Sequence, residues 1–521
     1  MSHNGVSRRH FFFGSLLAGA VPTAGFGSSP SLKMMGYKSP NEKLNIASIG
    51  AGGKVASDIT GCETENIVAL CDPDSKRAER MFKKYEKLPK YTDFRKMLDK
   101  EEKNIDAVIV AIPDFMHGTA AMWAMERGKH VFCQKPLTRT VFEAHALKEA
   151  AAKYKVATQM GNQGYSNDGT RRCAEMIWSG EIGNVTEVHA WTNRPVWPQG
   201  LTDPPAEAPV PETLDWDEWL GIQSMRPYSP AYAPFAWRGF FDFGCGSLGD
   251  MACHILGAAN MALMLGPPTS VECLKQEGTS SFMFPKKSVI RFDFPARGSM
   301  PPVKIFWYDA CLDAPFRPEG ISKNEVLGDM PRRRPAGGGQ RGAGGPPPGF
   351  VAGAPSREPD WAKDWELGLE SNRPAEQPAR PAEPLPADAN ARLEANVNRL
   401  VNRGSNGSLF VGEKGYITTG TYGEGTRLLP VEKMKDYKYP PEMLTRSPGH
   451  YHDWIRAAKG GDPACSNFGV AAPFTEWIVL GVLALRFEGK LEWDSAKMRI
   501  TNNAEANRLI KPTFRNGWKF S

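Results

Sequence analysis

Between residues 44 and 160, short apolar blocks alternate with longer mixed ones. The apolar blocks are LNIASI at 44–49, IVALC at 67–71, IDAVIVAI at 105–112, HVFC at 130–133 and VATQM at 156–160. Runs of this kind, nearly uninterrupted by polar residues, are expected of parallel strands covered on both faces. The mixed blocks at 75–87, 119–127 and 142–154 have helical character, the second closed by Gly128. Strand and helix alternating over this distance predict a doubly wound parallel sheet.

From about Glu187 the alternation loosens. Strand-like runs recur at 185–191, 269–275, 288–294 and 303–308, and a hairpin is expected from 408–411 and 415–419 across Gly412-Glu413-Lys414. Residues 451–459 and 471–487 read as helices. The latter is strongly apolar but short and carries Glu476, so it suits a buried core helix rather than a membrane span. Residues 199–235 are rich in Pro, Trp and Tyr and read either as walls of a sugar pocket or as a packed surface loop. Residues 331–390 are Gly/Pro/Arg-rich, then Pro/Ala-rich, a composition that buries too little apolar surface to offset ordering entropy. They read as a flexible insert with a local contact at Trp361 and Trp365. The organisation expected is a leader and linker at 1–40, a nucleotide-binding domain at 41–165, and a second α/β domain at 166–521 that carries the insert.

The first turn has its own chemistry. Gly50, Gly52 and Gly53 follow the first strand, and the second strand ends on Asp72, 22 residues after Gly50. Gly50 permits a tight turn, Gly52 lets backbone approach a pyrophosphate, and a carboxylate at Asp72 can accept from ribose hydroxyls. The third glycine of the usual pattern is Val55. Asp72 favours NAD(H), because a 2′-phosphate would meet a like charge; Lys76 and Arg77 lie close by and leave NADP(H) open.

Composition adds limits. The chain has 521 residues, 41% of them hydrophobic, and a formal net charge of +6. That excess is small and partly local, at the N-terminus and at Arg332, Arg333 and Arg334, so nothing points to nucleic acid. Nine cysteines are scattered without a CxxC, which argues against zinc and a disulfide framework. Near the start, Ser7-Arg8-Arg9-His10-Phe11-Phe12 is a twin-arginine pattern, followed by an apolar stretch at 11–20 with Ala18-Gly19-Ala20 as a cleavage site. Export by the twin-arginine route to the periplasm is expected, with the translocase as a transient partner and no stable membrane span.

Asp250 and His254 stand four residues apart, on one face of a helix if one forms. Taken alone, such a pair is more often a helix-surface pair or a capped core histidine. A histidine also has the intrinsic pKa to take a hydroxyl proton near neutrality.

IGAGGK at 49–54, Asp72, AIPDFMH at 111–117, GKHVFCQKPL at 128–137, TQMGNQG at 158–164 and FDFGCGSLGDMACH at 241–254 together resemble the Gfo/Idh/MocA (glucose–fructose oxidoreductase / inositol dehydrogenase) family. The leader and WRGFFDFG at 237–244 resemble an exported bacterial subgroup. The resemblance implies a Rossmann domain followed by an α/β domain with an open, mostly antiparallel sheet that often makes homo-oligomer contacts. It implies an NAD(P)-dependent oxidoreductase moving a hydride between a tightly held nicotinamide cofactor and a secondary hydroxyl of a sugar, glycoside or cyclitol.

By the same resemblance Lys135, Asp250 and His254 are the catalytic group. Gln134 stands where the family usually has Glu. Cofactor contacts are expected from Gly50, Gly52, Gly53, Lys54, Asp72, Pro113, His117, Gln134, Lys135 and Asn162, and substrate contacts from Gln163, Trp237 and Arg238. Gln159 also lies at a strand end, while His450 and His452 have no assigned place. No metal is required, since Lys135 can supply the positive charge. Two other readings stay open: an NAD-dependent glycosidase working by oxidation, elimination, hydration and reduction, and a non-catalytic sugar-binding protein.

Overall fold

The computed structural model describes residues 42–195, 197–311, 316–330, 406–515 and 517–520. The segments expected to be a leader, at 1–40, and a flexible insert with a contact at Trp361 and Trp365, at 331–390, lie outside them.

The first sheet has six strands: β1 (Asn45–Ile49), β2 (Asn66–Cys71), β3 (Lys90–Tyr91), β4 (Ala107–Val110), β5 (His130–Cys133) and β6 (Thr158–Met160). Their order is β3-β2-β1-β4-β5-β6, and every pairing is parallel. The helices α1 (Val55–Gly61), α2 (Ser75–Lys84), α3 (Phe94–Lys100), α4 (Asp114–Glu126) and α5 (Val141–Tyr154) connect them. The apolar runs are short because both faces are covered: all four residues of β4 are buried. Val55, where the third glycine would stand, is fully buried in the cluster that joins α1 to Leu44, Ile46 and Ile109.

Helix α4 begins five residues earlier than its apolar pattern implies. Pro113, at φ −59°, sits at its N-cap, and Asp114 occupies the first turn where a carboxylate complements the helix dipole. The Pro-Asp pair therefore starts a helix rather than a loop. Helix α5 is set by a capping box, with Thr140 and Glu143 each serving the other's backbone N–H.

The second sheet has nine strands: β7 (Val185–Trp191), β8 (Ser270–Glu277), β9 (Lys287–Phe294), β10 (Val303–Tyr308), β11 (Gly407–Gly412), β12 (Gly415–Thr419), β13 (Arg427–Leu429), β14 (Lys490–Asp494) and β15 (Arg499–Ile500). The order is β13-β12-β11-β7-β10-β9-β8-β14-β15. β7 and β10 run parallel, and the other pairings are antiparallel. Further helices include α6 (Asp168–Trp178), α7 (Gly246–Ile255), α8 (His450–Ala458) and α9 (Phe468–Ala484). Helix α9 is buried against the sheet, with Trp477 edge-on to Phe292 and Phe294. Gly481 is required there, because a Cβ would lie 2.4 Å from the Phe292 ring.

The aromatic stretch at 199–235 forms a packed lobe. Trp216 and Trp219 stack with centroids 4.8 Å apart, and both are buried along with Tyr228. Their apolar faces are used in packing with Tyr232, Phe240 and Phe243 rather than held open as walls. Helix α8 packs on the first sheet, far from it in sequence: Trp454 and Ile455 are buried among Val55, Ile59 and Phe132.

Candidate active site

Parallel pairing aligns the strand ends. Ile49 is in register with Cys71 and Val110, Val110 with Cys133, and Cys133 with Met160. The residues that follow, namely Gly50, Asp72, the 111–113 loop, Gln134-Lys135 and Gly161-Asn162, consequently line one edge of the sheet. This carboxyl edge is where open α/β sheets bind ligands.

At β1, Gly50 has φ +98°, and a Cβ there would lie 2.3 Å from the Ala111 carbonyl oxygen. Glycine is obligatory at that close approach. Gly53 is also left-handed, at φ +64°. The space beside Gly52 and Gly53 is filled by the Arg77 side chain. Asp72 is buried and braces the turn: Oδ2 accepts from the Ala51 and Gly52 N–H groups at 2.8 and 3.1 Å, and Oδ1 from Asp74 N–H at 2.9 Å. Burial pushes its carboxyl above the usual range, against those backbone donors. A glycine cradle with a fixed carboxylate beside it fits a dinucleotide, with Gly50, Gly52 and Gly53 at the phosphates and Asp72 at the adenosine ribose.

Lys135 follows β5 and meets α7 across the cleft. Its Nζ donates to Asp250 Oδ1 at 2.5 Å and to the Asp250 carbonyl at 3.0 Å, both residues being buried. Arg238 Nε lies 3.3 Å from the same Asp250 oxygen, and its guanidinium stands 4.3 Å from the Trp237 ring centroid. Burial opposes the ionised form of Asp250, but the charges of Lys135, Arg238 and Arg194 overcome it and hold the carboxyl well below the usual range. Burial lowers the Lys135 pKa from the ordinary lysine value, with Asp250 pulling the other way. His254, one turn after Asp250, is buried, and burial plus Lys135 push it well below the usual histidine pKa, so its ring is neutral. Its Nδ1 has no hydrogen-bond partner among the described residues, and its ring meets Tyr422 edge-on at 4.9 Å. Asp250 therefore serves Lys135 and Arg238, and among the described residues no hydrogen bond joins it to the imidazole.

Other expected contacts are already engaged. Both ring nitrogens of His117 lie 2.7 Å from carbonyl oxygens, Nδ1 from Pro136 and Nε2 from Ile112. Burial lowers its pKa to about 4. His117 therefore lies between two strand-end loops, and its neutral ring, with a single N–H, donates to one of the two carbonyls. Lys54 Nζ is held by Ser57 and Asp58, each at 2.7 Å. Gln134 donates to Asp58 at 2.8 and 3.0 Å. Asn162 accepts from Ser466 Oγ at 2.6 Å and donates to the Cys253 carbonyl, tying β6 to α7. Gln159 is fully buried and binds His450 and Ser466. Gln163 is half-buried at the start of a short 3-10 turn, Trp237 is buried, and His452 is exposed.

Several site residues were not singled out by sequence. Asp114 is fully buried at the head of α4, where burial raises its carboxyl to about 6 against the charges of Arg238 and Lys135. Its place directly after Pro113 was the available signal. Asp58 and Tyr451 meet at 2.7 Å, and 393 residues separate them, so no local pattern joins them. His450, named from the sequence without a place, lies near His254, and both feel the Lys54 charge.

Comparison with known proteins agrees with this architecture. Residues 44–162 match the oxidoreductase family NAD-binding Rossmann fold (GFO_IDH_MocA), and residues 181–272 match the family's C-terminal alpha/beta domain. Inositol 2-dehydrogenase of Salmonella paratyphi B is 31% identical over 154 residues, which are 28% of this chain and 44% of that protein. Glucose-6-phosphate 3-dehydrogenase of Bacillus subtilis is 29% identical over 149 residues, 27% of this chain and 40% of that protein. The chain thus spans less than half the length of these two curated relatives. The WlbA dehydrogenase of Bordetella pertussis, solved with NADH and UDP-GlcNAcA, shares the fold with a TM-score of 0.51 at 13% identity, over 87% of this chain and 99% of that one. Both characteristic domains of the Gfo/Idh/MocA oxidoreductase family are thus matched, in order, along residues 44–162 and 181–272.

Proposed function

We propose that this protein is an NAD-dependent oxidoreductase that moves a hydride between the nicotinamide and a secondary hydroxyl of a cyclitol or sugar. The observation that carries the reading is the buried Lys135–Asp250 pair, with neutral His254 one turn on, set at the same sheet edge as the glycine cradle and Asp72. The names of the curated relatives, inositol and glucose-6-phosphate dehydrogenases, support a ring hydroxyl as the reacting group. NAD, when bound, takes up the hydride. The chain's own residues do the rest. Lys135 holds the substrate oxygen and stabilises negative charge as its proton leaves. Asp250 and burial set the charge on Lys135 from opposite sides, which brings it closer to a proton relay. His254, neutral and with a free nitrogen, takes the hydroxyl proton.

The test is to purify the protein, identify bound nucleotide by mass spectrometry, and follow NADH formation with cyclitols and sugars. Sugar released from an aryl glycoside without net NADH would decide for the glycosidase instead. Sugar binding indifferent to nucleotide would decide for a non-catalytic protein.

NAD over NADP follows from Asp72. Asp72→Ala is expected to weaken NAD more than NADP, because the ribose acceptor is lost for one and a repulsion relieved for the other. Titration of both nucleotides by fluorescence checks this, and equal losses would remove the assignment. The twin-arginine pattern further motivates export. Arg8→Lys with Arg9→Lys is expected to hold the precursor in the cytoplasm, and processed protein still found outside the inner membrane on fractionation would refute the leader.

A further inference from the structure

We infer that Gln134 and Asp58 are positioning residues for Lys135: a buried amide–carboxylate pair that works only while position 134 is uncharged. The inference rests on the dehydrogenase reading for what Lys135 does, but its geometry stands apart from it.

Asp58 is fully buried on α1 and collects four contacts. Oδ1 accepts from Lys54 Nζ at 2.7 Å, from Tyr451 Oη at 2.7 Å and from Gln134 Nε2 at 3.0 Å, and Oδ2 accepts from Gln134 Nε2 at 2.8 Å. On its other side, Gln134 Oε1 accepts from the Lys135 N–H at 3.3 Å. The amide orientation is forced, because reversing it would set oxygen against carboxylate and nitrogen against N–H. Nor can the side chain move aside. A Cβ on Gly161 would lie 2.7 Å from the Gln134 amide, so the glycine backbone packs directly on it. The first turns of α1, which follow the glycine cradle, are thereby joined to the main chain of Lys135. From the opposite side, His117 holds the Pro136 carbonyl. Both neighbours of Lys135 in sequence are anchored, and its ammonium is left to meet Asp250.

A glutamate at 134 could not donate. It would face Asp58 across a hydrogen-bond distance in a buried site, where two like charges do not both ionise. The charged or titratable groups around the pair are Lys54 and Cys62 on or beside α1 and Tyr451 on α8. Among the described residues Lys54 is the cation paired with Asp58, while the ammonium of the adjacent Lys135 is bound to Asp250. Gln134→Glu can therefore keep the bridge only by holding a proton, and it loses the bridge as pH rises.

The experiment measures single-turnover hydride transfer and the thermal unfolding midpoint against pH in the full chain. The variants are Gln134→Glu and the exchange Asp58→Asn/Gln134→Glu, which returns one donor and one carboxylate to the pair. Gln134→Glu is expected to lose about 10²-fold in rate at alkaline pH, the cost of a small misplacement of a reacting group, and to recover on acidification. The exchange is expected to recover most of the rate at alkaline pH. A Gln134→Glu profile identical to wild type, or an exchange variant no faster than Gln134→Glu, would overturn the inference. Should Gln134→Glu not fold, Gln134→Met carries the test: it removes the donor at similar volume, and a wild-type rate in it overturns the pair. Wild-type protein that transfers no hydride would sink the dehydrogenase reading alone. The pair is then judged on the unfolding midpoint, expected to fall in Gln134→Glu as pH rises and to return in the exchange.

Discussion

Lys135→Met is expected to slow hydride transfer by about 10²–10⁴-fold, the usual cost of removing a positioned acid–base group, while NAD affinity stays close to wild type. Lys135 Nζ touches Asp250, and nothing places it at the glycine cradle, so nucleotide binding has no reason to follow. Methionine keeps the stem and its packing and deletes only the charge. His254→Ala is expected to behave alike, since the imidazole, whose Nδ1 has no partner among the described residues, is the proposed acceptor for the hydroxyl proton. Nucleotide affinity by fluorescence, set beside single-turnover rates, separates binding from chemistry. Wild-type rates in both variants would take these residues out of the mechanism. Loss of folding in both would make them supports of the domain interface instead.

Removing Asp250 should cost stability as well as activity. Asp250→Ala leaves Lys135 buried without its carboxylate and Arg238 facing it across the same space. Breaking a buried ion pair from one side typically destabilises by about 3–5 kcal/mol, because a desolvated charge is left uncompensated. Urea unfolding would measure that loss. The pair's pH dependence has a definite sign. The Asp250 carboxyl is held well below its usual value, so its contribution is present above the unfolded carboxylate pKa and is lost only as pH falls towards the depressed folded value. Asp250→Leu combined with Lys135→Met should recover much of the stability, because an apolar pair of similar volume replaces the buried ions. It should remain inactive. Recovery of activity with stability would mean that the pair serves the fold and not the reaction.

Much of this was legible in the residues. The doubly wound order of the first domain followed from apolar runs too short and too continuous for anything but buried parallel strands, and β7 and β10 fell where the β-branched and aromatic runs end. Gly50 and Asp72 were readable because the constraint is local: one needs a left-handed turn and the other sits at a strand end. Lys135, Asp250 and His254 were proposed through resemblance, since their individual spacing is common to many helices and loops.

What the chain could not disclose is how its polar groups are shared out. Sequence treats His117, Gln134, Lys54 and Asn162 as free to meet a cofactor. In the folded molecule each is already engaged, by Pro136 and Ile112, by Asp58, by Ser57 and Asp58, and by Ser466 and Cys253. Buried donors and acceptors must find partners, and those partners come from wherever the topology brings them. Tyr451 reaches Asp58 from 393 residues away because α8 packs on α1. The sequence by itself determined the sheet, its binding edge and the residue types along it. The tertiary structure alone decided which of those residues are spent on holding the edge in place, and that Lys135 after β5 meets Asp250, one turn before His254, on α7. That decision depends on contacts between segments hundreds of residues apart, and no local pattern encodes them.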